Sequence, residues 1–160
     1  MTDATAVPHW YETAVVPVLL RHARTAYGGA MRAALQAAGC DDLPRNGLYV
    51  IGGLALGATG VPLGQLATEL GVSKQAAGQL VDSLVLRGYL DRKVDPDDRR
   101  KLSITLSERG QMAAKVQAGA RKRVDTALTA KVGAQCVSQM RKGLGALCAM
   151  GRQQADHEHD

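Results

Sequence analysis

Residues 63–110 read LGQLATELGVSKQAAGQLVDSLVLRGYLDRKVDPDDRRKLSITLSERG. The first eight residues, Leu63 to about Leu70, form a helix that Gly71 ends, and Val72-Ser73 completes a tight turn. Ser73 suits an N-cap, because its hydroxyl accepts a bond from an orphan amide at a helix start. Gly88 closes the second helix, as a residue tolerant of positive φ does. Between Ser73 and Gly88, Ala77, Leu80, Val81 and Leu84 recur at i, i+3, i+4 and i+7 and make one apolar stripe.

The other side of that helix carries Lys74, Gln75, Gly78, Gln79 and Asp82. Gln bonds adenine bidentately, and Lys reads guanine or phosphate. A polar helix face after a tight helical turn is the arrangement of a helix-turn-helix reader. Taken alone, the helix also fits an ordinary amphipathic helix with a solvated face.

The next segment separates the two readings. Tyr89 to Val94 alternates as a half-buried strand, with Leu90 on one side of the pleat and Asp91 on the other, and Leu102 to Leu106 alternates again. Between them, Asp95-Pro96-Asp97-Asp98-Arg99-Arg100-Lys101 is a charged loop. A hairpin tipped by Arg-Arg-Lys after a helix-turn-helix is a wing. Arg side chains at such a tip enter the narrow minor groove, where the potential is most negative. An Asp two residues before an Arg orients the guanidinium by a bidentate pair.

These residues resemble the MarR (multiple antibiotic resistance regulator) family of winged helix-turn-helix transcription factors. The resemblance rests on Leu66-Ala67, Leu70-Gly71-Val72-Ser73, Leu84, Arg87-Gly88-Tyr89-Leu90, Arg92, Asp95 to Arg100 and Leu106-Ser107-Glu108-Arg109-Gly110. The family's Asp-x-Arg of the wing falls on Asp98 and Arg100. The chain departs from the family at Ala76-Ala77-Gly78-Gln79, where Ser or Thr followed by Arg is frequent. The expected fold is mainly α with a small β-wing: a single domain over 1–160 with the winged helix-turn-helix at about 44–110. Long helices at about 9–40 and 111–154 flank it.

The rest of the chain agrees. Its 160 residues suit one domain, the net charge of +5 is compatible with an anionic partner, and the scarcity of aromatics (3%, no Phe) favours close-packed helices. No run approaches a membrane span of ~20 apolar residues. No basic segment precedes an apolar stretch near the N-terminus, so a cytoplasmic protein is expected. Trp10 to Gly39 reads as one or two helices, with Pro17 at a break or in a first turn. Pro44 opens another helix, Arg45 to about Leu56, with Asp42 or Leu43 at its cap. Val61-Pro62-Leu63 is extended and adds a third strand to the wing, Pro62 lying at an edge. Ser107 caps a helix to about Ala130, and a last helix runs from Ala134 to about Gln154. Val116, Ala120, Val124, Ala127 and Leu128 form one apolar stripe there; Val137, Met140, Leu144, Leu147 and Cys148 form another. Stripes with so little core to cover suggest a second copy of the chain, and the resemblance implies a homodimer interlocked through these helices.

Chemistry other than binding finds no support. P-loop, GxSxG and HExxH motifs are missing, and no nucleophile has a positioned base, so no enzyme and no cofactor are expected. Cys40, Cys136 and Cys148 have no metal-ligand spacing; Cys40 is the most loop-like, without a basic pair to activate it. The acidic tail with His157 and His159 reads as a disordered tail rather than a weak metal site. The expected partner is double-stranded DNA. Lys74, Gln75 and Gln79 are assigned to the major groove, Arg100 braced by Asp98 to the minor groove, and Arg99, Ser73 and Arg45 to the backbone. The resemblance also implies a repressor released by a small phenolic or anionic effector, with Trp10, Tyr11, Arg21, His22 and Tyr49 as lining candidates. The competing reading is a winged-helix dimer that docks a protein without specific DNA binding.

Overall fold

Pro17 and the β-branched pair Val15-Val16 shape the beginning of the described chain. In a computed structural model, which describes residues 9–57, 61–94 and 102–157, helix α1 (Trp10–Thr13) stops at extended Ala14 and Val15. Helix α2 (Val16–Ala37) then starts with Pro17 in its first turn, where a missing N–H costs nothing. Helix α3 (Gly47–Leu56), strand β1 (Val61–Pro62), α4 (Leu63–Leu70) and α5 (Lys74–Leu86) follow. Strands β2 (Leu90–Val94) and β3 (Leu102–Leu106) lead into α6 (Glu108–Val132) and α7 (Ala134–His157). The expected mainly α fold with a small β-wing is present.

The sheet order is β1-β3-β2, antiparallel throughout, with Val61 opposite Ile104 and Leu90 opposite Leu106. Pro62 therefore sits on an edge strand, the place where a residue without an N–H is tolerated. Leu63 belongs to α4 rather than to the strand.

The chain forms two compact units, one ending at Arg121 and one beginning at Lys122, so the division falls within α6. The core of the first is aliphatic. Leu35, Leu48, Val50, Ile51, Val81, Leu84, Tyr89, Leu90 and Ile104 are fully buried, and Ala113, Ala114 and Ala120 pack α6 closely against them. Helix α3 is apolar on nearly every side and is central, as its composition predicts. In α6 the buried set is Gly110, Ala113, Ala114, Gln117 and Ala120, one turn earlier than the stripe read from the sequence. Along α7 Val137 is buried, whereas Met140, Leu147 and Met150 are exposed. None of the helices described is long and apolar enough to cross a membrane.

Two boundaries differ from expectation. Helix α3 begins at Gly47, not Arg45, and its N-cap is Asn46 without a side-chain cap bond. Asp42 does not cap it, because its carboxylate is taken by Tyr89 and Arg109. Helix α7 extends to His157, past the expected Gln154.

Candidate nucleic-acid interface

The turn between α4 and α5 is built from backbone bonds. Gly71 (φ +63°) lets the chain reverse, its amide donates to the Thr68 carbonyl at 3.1 Å, and the Val72 amide donates to the Ala67 carbonyl at 3.1 Å. The Ser73 hydroxyl then accepts from the Ala76 amide at 3.1 Å, as its residue type predicts. Such a cap contributes about 1 kcal/mol. Ala77, Val81 and Leu84 are completely buried and Leu80 half-buried, so the apolar stripe anchors α5 to the core. Lys74, Gln75 and Gln79 are exposed together on the opposite side. Gly78 lies half inward, against Leu63 of α4, and does not open the outer face.

Asp82, the acidic residue of that face, forms an ion pair with Arg92 of β2. Its charge is thereby neutralised beside the surface that Lys74 and the two glutamines present. Arg45 is exposed on the loop before α3, whose Leu43 and Pro44 pack with Leu84 around Gly47. It also lines a cavity of about 250 Å³ with Arg32, Leu35, Cys40 and Asp41. Cys40 is buried there, while Cys136 and Cys148 are exposed. Asp98, Arg99 and Arg100 at the wing tip lie outside the described residues.

At the base of the wing is a polar node that periodicity does not reveal. The Tyr89 hydroxyl donates to Asp42 Oδ1 at 2.6 Å. Arg109 forks onto the same carboxylate at 2.8 and 3.1 Å, donates to the Arg87 carbonyl at 2.5 Å, and lies 4.2 Å over the Tyr89 ring. Ser107 donates to the Gly88 carbonyl and caps the Gly110 amide, so it is the expected N-cap of α6. The bond from the Tyr89 hydroxyl, opposed by desolvation and aided by the Arg109 guanidinium, holds the Asp42 carboxyl below its usual 3.8. Burial and the adjacent carboxylate keep the Tyr89 phenol protonated. A carboxyl whose folded pKa is depressed stabilises the fold above its unfolded pKa and loses that contribution as pH falls through the folded value. Acid titration of wild type against Asp42→Asn is therefore expected to show a stability gap at neutral pH that closes below about pH 4. A gap that persists unchanged to pH 2 excludes the ionised Asp42 as its source.

The residues expected to contact an effector split into two groups. Trp10 packs against His22 (ring centroids 4.6 Å apart) and Tyr11 (5.8 Å), while Arg21 is exposed. Tyr49 stands elsewhere, with the Arg24 guanidinium 4.2 Å over its ring. Together these two line a cavity of about 370 Å³ with Gly53, Leu66 and Leu70, between α2, α3 and α4. Arg24 is absent from the sequence-based set because no local pattern joins it to Tyr49. No cluster of three or more metal-ligating side chains occurs among the described residues.

Residues 41–101 match the model of the MarR family. No curated protein matches the sequence. Among solved structures, a MarR transcriptional regulator from Methanosarcina mazei Go1 superposes with a TM-score of 0.72 at 15% identity, covering 86% of this chain and 96% of its own. Streptococcus pneumoniae FabT, solved in complex with DNA, gives 0.71 at 19% identity over 86% and 96%. RV1404 from Mycobacterium tuberculosis gives 0.66 at 21% identity over 91% and 96%. The match to the MarR family model thus covers the helix-turn-helix, and the chain shares its fold with solved MarR regulators.

Proposed function

We propose that this protein is a sequence-specific DNA-binding regulator of transcription that acts in the cytoplasm as a homodimeric, ligand-responsive repressor. The observation that carries the reading is α5 itself. Ala77, Val81 and Leu84 on its apolar side are buried, its start is capped by Ser73, and its outer face offers Lys74, Gln75 and Gln79 to solvent with Asp82 paired to Arg92. In this reading α5 enters the major groove, Ser73 and Arg45 contact the backbone, and Arg100, braced by Asp98 and flanked by Arg99, reaches the minor groove. The DNA-bound FabT of the same fold supports it. Exposed Trp10, Tyr11, Val15 and Val16, and exposed Met140, Leu147 and Met150, are apolar surface suited to a second copy. A two-fold dimer then reads half-sites about one helical turn, roughly 34–36 Å, apart in a pseudo-palindromic operator. The cavity beside Arg24 and Tyr49 suits a small effector with an anionic group, and such a molecule acts by binding the DNA-incompetent spacing more tightly.

Fluorescence anisotropy on DNA upstream of the protein's own gene, at two salt concentrations and with scrambled competitor, tests this. Wild type is expected to bind saturably and to weaken steeply with salt. Gln79→Ala is expected to lose about tenfold or more on the operator, the worth of a bidentate base contact. Lys74→Ala or Arg100→Ala should reduce affinity too. If neither this DNA nor any sequence recovered by random selection binds better than scrambled DNA, the reading fails and the protein-docking alternative replaces it.

A further inference from the structure

We infer that Arg109, Asp42 and Tyr89 act together as a positioning clamp that sets the attitude of the DNA-reading helix and the wing against the first turn of α6. The inference rests on the DNA-binding reading and adds to it three residues that touch no DNA.

Four pieces of chain meet at this node, and each is held by a different bond. Arg109 comes from the first turn of α6. Its fork onto Asp42 holds the loop before α3 (2.8 and 3.1 Å), and its bond to the Arg87 carbonyl (2.5 Å) holds the end of α5. Its stacking on Tyr89 (4.2 Å) holds the residue that joins α5 to β2. The Tyr89 hydroxyl closes the ring of contacts on Asp42 at 2.6 Å. The backbone repeats the connection, since the Tyr89 carbonyl accepts from the Ser107 amide at 3.2 Å and the Tyr89 amide donates to the Leu84 carbonyl at 2.9 Å. Planar, forked and stacked contacts constrain orientation as well as distance, which a Lys ammonium does not. The Arg109 and Asp42 side chains are both more than a third exposed (36% and 40%), so screening limits what their attraction adds to stability. A geometry this specific in a pair so accessible to water is better suited to fixing an angle than to holding the core together. Reading base edges requires side chains held to within a fraction of an ångström, whereas binding to phosphates at large tolerates a loose helix.

Arg109→Lys keeps the charge and removes the fork and the stack, and Tyr89→Phe removes only the hydroxyl. Both keep the size and shape of the side chain they replace, so a loss of operator affinity is not a loss of fold, which thermal melts check alongside. Operator and scrambled-DNA affinities, the salt slope and amide exchange of residues 84–94 would be measured in the full-length protein. Each variant is expected to lose roughly tenfold on the operator, within the range of couplings in a shared hydrogen-bond network. Affinity for scrambled DNA and the salt slope stay at the wild-type value, because no phosphate contact is removed. Exchange at 84–94 rises with Tm little changed, and the double variant loses no more than the worse single one. Wild-type operator affinity in both variants overturns the clamp and leaves the DNA-binding reading standing. Equal loss on operator and scrambled DNA also overturns it, since that is a general loss of binding. A wild-type protein without operator preference overturns both.

Discussion

Gly110→Ala is expected to be the most damaging single-methyl addition in this protein. A Cβ at position 110 would stand 2.1 Å from the Tyr89 carbonyl oxygen and 3.2 Å from Leu106 Cδ2. The first obstacle is backbone and cannot rotate away. To make room, the first turn of α6 has to lift off the α5–β2 junction, stretching the Ser107 amide bond to the same carbonyl (3.2 Å) and the cap on the Gly110 amide (3.0 Å). Overpacking at rigid sites costs up to about 3 kcal/mol. At roughly 2–4 °C per kcal/mol for a chain of this size, Tm falls by about 6–12 °C. Gly29→Ala is the internal control. Nothing lies within 4 Å of its added methyl, and a mid-helix Gly to Ala change gains up to about 1 kcal/mol. Thermal melts of the two variants side by side decide the matter; a Gly110→Ala protein as stable as wild type refutes the close approach.

The second large effect is expected at Leu84→Ala. Leu84 is completely buried on the inner face of α5 and belongs to the main core cluster. Removing its branched end costs about 2–5 kcal/mol, the spread depending on how far the site collapses. Here the site can be refilled from a known direction. Leu84 Cδ2 lies 2.8 Å from where a Cβ on Gly47 would stand, with Leu43 Cδ1 at 3.3 Å. Gly47→Ala alone is therefore expected to destabilise, because Leu84 must give way. In the Leu84→Ala background the same methyl enters the space Leu84 vacates. The double variant should be more stable than Leu84→Ala by about 1 kcal/mol, a coupling expected only of residues in contact. Urea denaturation of the four proteins of this cycle measures the coupling, and strict additivity would show that the two positions do not share the space.

Both effects involve α5, the helix most legible in the sequence. Its cap at Ser73, its stripe at Ala77, Val81 and Leu84, and the Gly88 that ends it with φ +73° all stand as the spacing predicts. Their causes are local: a hydroxyl three residues from an amide, a 3.6-residue period, and a backbone conformation that few side chains tolerate. The strands are equally plain, since alternation places Leu90 inward and Asp91 outward whatever the partner strand is. The start of α3 is a different case. Pro44 suggests a helix from Arg45 with Asp42 or Leu43 at its cap, but Asp42 is drawn away by Tyr89 and Arg109, and the helix begins at Gly47 with Asn46 at the cap. The expected aromatic lining shows the same limit: Tyr49 was legible as a candidate, whereas its partner Arg24 was not.

The helix-turn-helix, the wing strands and the exposure of Lys74, Gln75 and Gln79 are legible from residue order alone, because each depends on neighbours within a few turns of chain. The Asp42–Tyr89–Arg109 node, the pair of Asp82 with Arg92 and the close approaches at Gly47 and Gly110 arise from tertiary packing. Asp42 lies 47 and 67 residues from its two partners. A charge, a hydroxyl or a missing methyl acquires its meaning from what folding brings within 3 Å, and no periodicity in the chain encodes that distance.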